Sequence, residues 1–316
     1  MKIVIVGYGE MFKALISGVL ETQHEIAGVF RIENVKYPPL RRFVHDLFKP
    51  SDDYNFVKTH NLPQIRAKSV NSPEFVSELK KLNADIILVG SWSEKFSMQT
   101  INTAKKACIN VHPSLLPRYR GPNPYFQAIK NNEEKTGVTF HLMDVNYDTG
   151  LILHQAEVPI LPHDTGMSLK LRCCDAAKNE VIVLLNEFSK KIKNPISQSE
   201  KEATYQMQIS LADSILDFEK ETALETDRRI RGLNPWLNCH ICCKNEFFSF
   251  SNHKICQKTS KKPPATIVKI TDNSMYIVCK DGGVIEFSSL RIKRPFSKML
   301  TKFCLNRVIK VNDKAV

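Results

Sequence analysis

The sequence predicts an α/β fold, a doubly wound parallel sheet followed by a smaller β-barrel. Three observations carry that prediction. Apolar strand-like runs alternate with helical spacing over residues 2–191. Short β-rich runs replace that alternation beyond residue 207. A polar stretch containing Asn194-Pro195 stands between the two patterns.

Residues 2–6 are continuous and apolar, as in a strand buried on both faces. Gly7-Tyr8-Gly9 predicts a tight turn. Phe12, Leu15, Ile16, Val19 and Leu20 then give helical spacing over 10–22, and 25–30 returns to strand. Ser72 as N-cap and Pro73 at the first helical position predict a helix over 72–82. Strand 85–89, a short helical stretch near 97–105 and strand 107–111 follow. Asn123 and Pro124 open a helix over 123–131. Residues 137–143 and 151–160 read as strands, and 166–191 as a long helix. The second region has β-rich runs at 246–250, 265–270, 274–279 and 283–287, with Asp281-Gly282-Gly283 as a hairpin turn. The expected organisation is a domain over 1–191, a linker over 192–206 and a second domain over 207–316.

In 316 residues no apolar run approaches the roughly 20 that a membrane span needs. The opening apolar stretch is too short for a signal-peptide core, so a cytoplasmic protein without membrane association is expected. Nine scattered cysteines predict free thiols rather than a disulfide framework. A monomer is expected. The net charge of +12 is unevenly spread. Residues 241–316 hold 15 Lys/Arg against 5 Asp/Glu, which leaves only +2 for the rest. A basic end on a near-neutral body predicts a polyanionic partner such as nucleic acid.

Gly7-x-Gly9 after the first strand invites a dinucleotide-binding reading. Phe12 stands where the third glycine of that fingerprint belongs, and Phe30-Arg31 stands where an acidic residue would meet the ribose. The turn is therefore read as a strand-to-helix connection.

Chemistry concentrates in Asn110-Val111-His112-Pro113-Ser114-Leu115-Leu116-Pro117-Arg118-Tyr119-Arg120-Gly121-Pro122. It follows a buried strand, at the edge where open α/β sheets bind ligands. Asn110 and His112 are two apart, so in an extended chain they project to one side, and Pro113 favours extended geometry at His112. A neutral amide donor suits an oxyanion. An imidazole exchanges protons near neutral pH. A carboxylate would complete the set, and Asp144 and Asp148 both follow a predicted strand end. The residues alone do not choose between them. Leu115-Leu116-Pro117 supplies an apolar run suited to lining a flat ligand pocket.

Residues Asn110 to Gly121, Gly137-Val138-Thr139-Phe140-His141-Leu142-Met143-Asp144 and Asp148-Thr149-Gly150 resemble the formyltransferase family that uses 10-formyltetrahydrofolate. The resemblance implies Asn110, His112 and Asp148 as the catalytic set, and it is what selects Asp148. It places the folate-contacting loop on Ser114, Leu115, Leu116 and Pro117. It implies 10-formyltetrahydrofolate as co-substrate, with no metal. Ala203-Thr204-Tyr205, Leu216-Asp217-Phe218 and Arg228 to Trp236 are similar to the hinge and C-terminal domain of those members that formylate methionyl-tRNA. That similarity implies a Rossmann-like first domain, an OB-like barrel that grips tRNA, and initiator methionyl-tRNA as partner. Arg120-Gly121-Pro122-Asn123-Pro124 also resembles members acting on nucleotide-linked amino sugars. The tRNA-acting members carry a basic, Gly-containing loop after the second strand. Residues 31–49 have Arg41 and Arg42 there but no glycine.

Arg41, Arg42, Arg291, Lys293 and Arg294 are the expected tRNA contacts. Lys261, Lys262, Lys298, Lys302 and Arg307 add to the basic end, with Phe247, Phe248, Phe250, Phe287, Phe296 and Phe303 interspersed. Most of these aromatics are expected in the core. Cys239-x2-Cys242 and His253-x2-Cys256 have loosely zinc-like spacing, but strand-like sequence separates them, and free thiols are expected. His141 and His154 alternate on predicted strands and need no functional role.

Overall fold

The structure is a computed structural model, and it describes residues 1–31, 51–292, 305 and 309–315. By contact density the chain forms two compact units. The first is Met1–Pro124, Glu134–Ile160 and Leu169–Met207, and the second is Tyr125–Glu133, Leu161–Ser168 and Gln208–Val316.

The first unit is built on a six-stranded sheet of β1 (Lys2–Gly7), β2 (Glu25–Arg31), β3 (Ile86–Gly90), β4 (Ala107–His112), β5 (Lys135–Leu142) and β6 (Ile152–Pro159), ordered β2-β1-β3-β4-β5-β6. The first four strands are parallel. Their continuous apolar runs follow from burial on both faces: Ile3 to Val6 and Ile86 to Leu88 are fully buried. β5 and β6 are antiparallel additions. Apolar content does not reveal strand direction, because β5 is as buried as its parallel neighbours.

Helices α1 (Gly9–Leu20), α2 (Asp52–Thr59), α3 (Pro73–Leu82), α4 (Met98–Ile101), α5 (Pro124–Lys130), α6 (Gly166–Asn186) and α7 (Phe188–Lys191) complete the part of the chain before the linker. Ser72 caps α3 by accepting from the Phe75 amide at 3.3 Å, with Pro73 in the first turn as its sequence implies. The sequence gives little sign of α2, whose apolar content is low. Its function in the fold is visible at the first turn of the sheet. Gly9 has φ +66°, and its N–H donates to Asp53 Oδ2 at 2.8 Å. The anion-binding start of α1 is therefore occupied by a carboxylate of this chain, which agrees with the absent dinucleotide fingerprint.

The second unit holds α8 (Ala223–Leu233) and two antiparallel sheets. One sheet pairs β7 (His240–Cys243), β8 (Glu246–Ser249) and β13 (Arg291–Ile292) in the order β13-β8-β7. The other pairs β9 (Asn252–Ile255), β10 (Ile267–Ile270), β11 (Ser274–Val278) and β12 (Val284–Ser288) in the order β10-β11-β12-β9. The hairpin at Asp281-Gly282-Gly283 joins β11 to β12, and Gly282 takes φ +77°. Phe218, Phe248 and Phe287 lie fully buried in this core, and Phe218 meets Phe287 edge-on at 5.6 Å. Phe247 points outward. α8 was not anticipated from the β-rich pattern. A reciprocal capping box between Thr222 and Glu225 starts it. Among the described residues, no helix is long and apolar enough to cross a membrane.

Candidate functional site

β4 delivers Asn110 and His112 to the same face of the sheet, where one carboxylate meets both. Asp148 Oδ1 lies 3.2 Å from Asn110 Nδ2, and Asp148 Oδ2 lies 3.5 Å from His112 Nδ1. Gly121 N–H donates to the same Oδ2 at 2.9 Å. Asp144 is elsewhere, accepting from the Thr149 hydroxyl at 2.8 Å and from the Asn146 amide at 2.8 Å. The choice between the two aspartates rests on a loop path. β5 runs antiparallel to β4, so its end at Leu142 is level with Ile109, and Met143 N–H bonds Cys108 O. The chain then folds back, and only by residue 148 has it returned to Asn110 and His112.

Hydrogen-bond chemistry fixes the orientation of each group. A backbone carbonyl only accepts, so His112 Nε2, 2.7 Å from Tyr119 O, carries a hydrogen and His112 faces Asp148 through Nδ1. A carboxylate only accepts, so Asn110 turns its amide nitrogen toward Asp148. His141 joins this set. It stands directly across the β4–β5 ladder from Asn110, with Nε2 at 3.1 Å from Asn110 Nδ2 and at 3.5 Å from Asp148 Oδ1. Its Nδ1 lies 2.9 Å from Leu142 O and donates there, which leaves Nε2 of the neutral ring as an acceptor for the amide. Sequence reasoning assigned His141 no function. An antiparallel β4–β5 register pairing Asn110 with His141 is the signal that would have found it.

His112 is 6% and Asp148 11% exposed at the side chain. Burial alone disfavours the Asp148 carboxylate. The neighbouring His112 ring and the Gly121 N–H outweigh that penalty and hold its pKa well below the usual carboxylate range. The site therefore retains a permanent anion in a sparsely hydrated position.

The loop Ser114 to Pro117 is fixed to β5 through Thr139, which lies opposite His112. Thr139 Oγ1 donates to Ser114 O at 2.6 Å and accepts from Gln155 Nε2 at 2.7 Å and Leu116 N–H at 3.3 Å. Gln155 also donates to Leu116 O at 3.0 Å. Ser114 is fully buried, with its hydroxyl donating to Arg118 O at 2.7 Å. Leu116 is buried, while Leu115 is half-buried and lies over Gly137. The loop backbone is thereby tied to β5 and β6 beside His112.

Of the expected tRNA contacts, Arg291 is exposed on β13, where its carbonyl accepts from the Ser249 hydroxyl at 3.1 Å. Arg41, Arg42, Lys293 and Arg294 lie outside the described residues, as do Phe296, Lys298, Lys302, Phe303 and Arg307. Among the described residues no three His, Cys, Asp or Glu side chains converge as metal ligands. His253 Nε2 is instead 2.9 Å from Asp227 Oδ1, and burial pushes the Cys239 thiol up to about 12.

The family described as "Formyl transferase" matches residues 1–185, and "Formyl transferase, C-terminal domain" matches 208–300. The chain is 29% identical over 292 residues to a methionyl-tRNA formyltransferase of Lachnospira eligens, covering 90% of each. It is 31% identical over 261 residues to one from Blochmanniella floridana, covering 77% of this chain and 79% of that one. In fold it resembles an N-formyltransferase from Helicobacter canadensis in complex with folinic acid and dTDP-3-aminofucose, with TM-score 0.68 and 18% identity over 91% of this chain and 99% of that one. It also resembles HypX from Aquifex aeolicus in complex with tetrahydrofolic acid, with TM-score 0.63 and 16% identity over 98% of this chain and 48% of that one.

Proposed function

The chain belongs to the formyl transferase family, and from that premise we propose that it transfers a formyl group from 10-formyltetrahydrofolate to the α-amino group of initiator methionyl-tRNA. The observation that carries the reaction is the buried Asp148 carboxylate held jointly by Asn110, His112 and the Gly121 amide. Residues 1–191 are the catalytic domain, and 207–316 bind the tRNA. The folate donor supplies the formyl group, and the half-buried Leu115 side chain offers an apolar contact for its flat ring.

The neutral acceptor amine adds to the formyl carbon, forming the new C–N bond and an oxyanion. Asn110 donates an N–H to that oxygen by giving up its neutral partner, His141 Nε2, while retaining Asp148. His112 contributes through protonated Nδ1, because its Nε2–H is committed to Tyr119. Asp148 stays ionised and pairs with the His112 charge, while the proton that the amine loses is passed on through water. Collapse breaks the bond to N10 of the folate, which leaves with a proton. A preorganised donor of this kind typically contributes about 100- to 1000-fold to turnover.

The acceptor follows from charge and kinship. Residues 241–316 carry 15 Lys/Arg against 5 Asp/Glu, and the relatives that match most of the chain formylate methionyl-tRNA by their names. A second reading, transfer to a nucleotide-linked amino sugar, draws on the Arg120 to Pro124 sequence and on the Helicobacter canadensis fold. Parallel assays with charged initiator tRNA and with dTDP-amino sugars, across a salt series, separate the two. Rapid formylation of tRNA that weakens steeply with salt supports the first reading. Turnover confined to the sugar nucleotide overturns it.

A further inference from the structure

Residues 192–206 are expected to be a linker, and from Gln198 to Gln206 they lie against the loops that hold the site, all within the first unit. They pair with the loop after β4. Arg120 N–H donates to Thr204 O at 2.8 Å, Gln206 N–H donates to Arg120 O at 2.9 Å, and Tyr119 N–H donates to the Thr204 hydroxyl at 2.8 Å. Tyr119 is the residue whose carbonyl accepts from His112. Gly121, next to Arg120, is the residue whose N–H holds Asp148.

Two side chains deepen the connection. Arg120 is fully buried. Its guanidinium is gripped bidentately by Glu200, at 2.8 and 3.1 Å, and it also donates to the Tyr205 hydroxyl and to Gln198 Oε1 at 2.8 and 3.1 Å. Gln198 uses its other end differently. Its Nε2 donates to the backbone carbonyls of Asp148, at 2.9 Å, and Gly150, at 2.7 Å. Asp148 takes φ +57°, a left-handed conformation uncommon for a residue with a Cβ, though less so for Asp. One amide thus reads both halves of the site's support, the Arg120–Gly121 segment through its oxygen and the Asp148–Gly150 segment through its nitrogen.

We propose that Gln198 is a positioning residue for formyl transfer, setting the Asp148 carboxylate against Asn110 and His112 by clamping the Asp148–Gly150 backbone to the Arg120 guanidinium. The proposal rests on the catalytic reading of Asp148. Gln198 touches no reacting atom. It acts by holding the aspartate within hydrogen-bond distance of its partners, where a displacement near 1 Å costs about 100-fold in rate.

The test uses the full-length chain and three variants, Gln198→Leu, Gln198→Glu and Asp148→Asn, with kcat and KM for 10-formyltetrahydrofolate measured from acid to neutral pH. Gln198→Glu keeps an oxygen for Arg120 but cannot donate to the two carbonyls when ionised. The expected result is a kcat lowered by up to about 100-fold in both Gln198 variants, with folate KM changed by less than about threefold. The acidic limb of the rate profile should move to higher pH in Gln198→Leu, as a loosened Asp148 regains ordinary acidity. In Gln198→Glu, kcat should recover partly on acidification, as the protonated side chain regains a donor. A Gln198→Glu enzyme with wild-type kcat at neutral pH would overturn the proposal and leave Gln198 as an anchor for Arg120 only. Normal kcat in Gln198→Leu alongside a disabled Asp148→Asn would overturn it too, with the catalytic reading intact. Normal turnover in Asp148→Asn would sink the catalytic reading itself. Thermal unfolding midpoints of all three separate these outcomes from loss of fold.

Discussion

His112 and Asp148 face each other at 3.5 Å between Nδ1 and Oδ2, while the second ring nitrogen of His112 is held by the Tyr119 carbonyl at 2.7 Å. The ring therefore has one working nitrogen, directed at a carboxylate that is itself fixed by Asn110 and the Gly121 amide. Fixing every partner beforehand avoids reorganisation when charge develops.

The Asp148 carboxylate ties the site to acid stability. Its pKa in the folded chain lies below its unfolded value of about 3.9, so its contribution is complete above that pH and is lost as pH falls toward the folded value. Asp227 follows the same sign, with His253 and Arg231 outweighing its burial. Urea midpoints measured at neutral pH and below about pH 4 should show Asp148→Asn less stable than wild type at neutral pH and less sensitive to acid. Parallel acid slopes in the two proteins would contradict this.

Thr139 should be the most sensitive residue beneath the folate loop. Thr139→Val leaves Ser114 O, Leu116 N–H and one Gln155 hydrogen without their partner, at about 1–3 kcal/mol for each group left unsatisfied. Chemical unfolding should register the loss. The folate KM should rise while kcat changes less, because the loop rather than Asp148 is released.

His141→Leu removes the neutral acceptor on Asn110 Nδ2 without touching Asp148's bond to the same amide. A single neutral hydrogen bond corresponds to roughly two- to tenfold in rate. Turnover should fall within that range, and folate KM should stay near its wild-type value. A loss as deep as that of Asp148→Asn would give His141 a larger part than orienting the amide.

Gly121 takes φ +90°, and a Cβ there would stand 2.8 Å from the Gln206 carbonyl. Gly121→Ala should destabilise the chain by about 1–3 kcal/mol and lower turnover, since the residue's N–H holds Asp148. Denaturant titration and a kcat measurement on the same sample check both effects.

Much of this architecture was legible in the residues. The buried runs at 2–6, 85–89 and 107–111 announced parallel strands, and the two-residue spacing of Asn110 and His112 on one of them placed both on one face. Strand direction was not legible, because β5 is buried along most of its length whether it runs up or down the sheet. That gap hid His141, which reaches Asn110 only in the antiparallel register. It also left Asp144 and Asp148 equivalent, since a nine-residue connection between β5 and β6 (143–151) has many possible paths. Gln198 sat in a polar stretch whose composition reads as a tether. Its tertiary partners, Arg120 and the Asp148 carbonyl, lie 78 and 50 residues away in sequence. In the second unit α8 was missed because its helical signal is a capping box on a largely polar segment, while the surrounding pattern is β-rich.

The central claim is that Asp148, with Asn110 and His112, carries formyl transfer. Its most direct test is single-turnover transfer from radiolabelled 10-formyltetrahydrofolate to charged initiator methionyl-tRNA, comparing wild type with Asp148→Asn at matched folate occupancy. The account predicts ready transfer by the wild type and a loss of about 10²- to 10⁴-fold in the variant, with folate binding retained. Transfer by Asp148→Asn within a few-fold of wild type would contradict it.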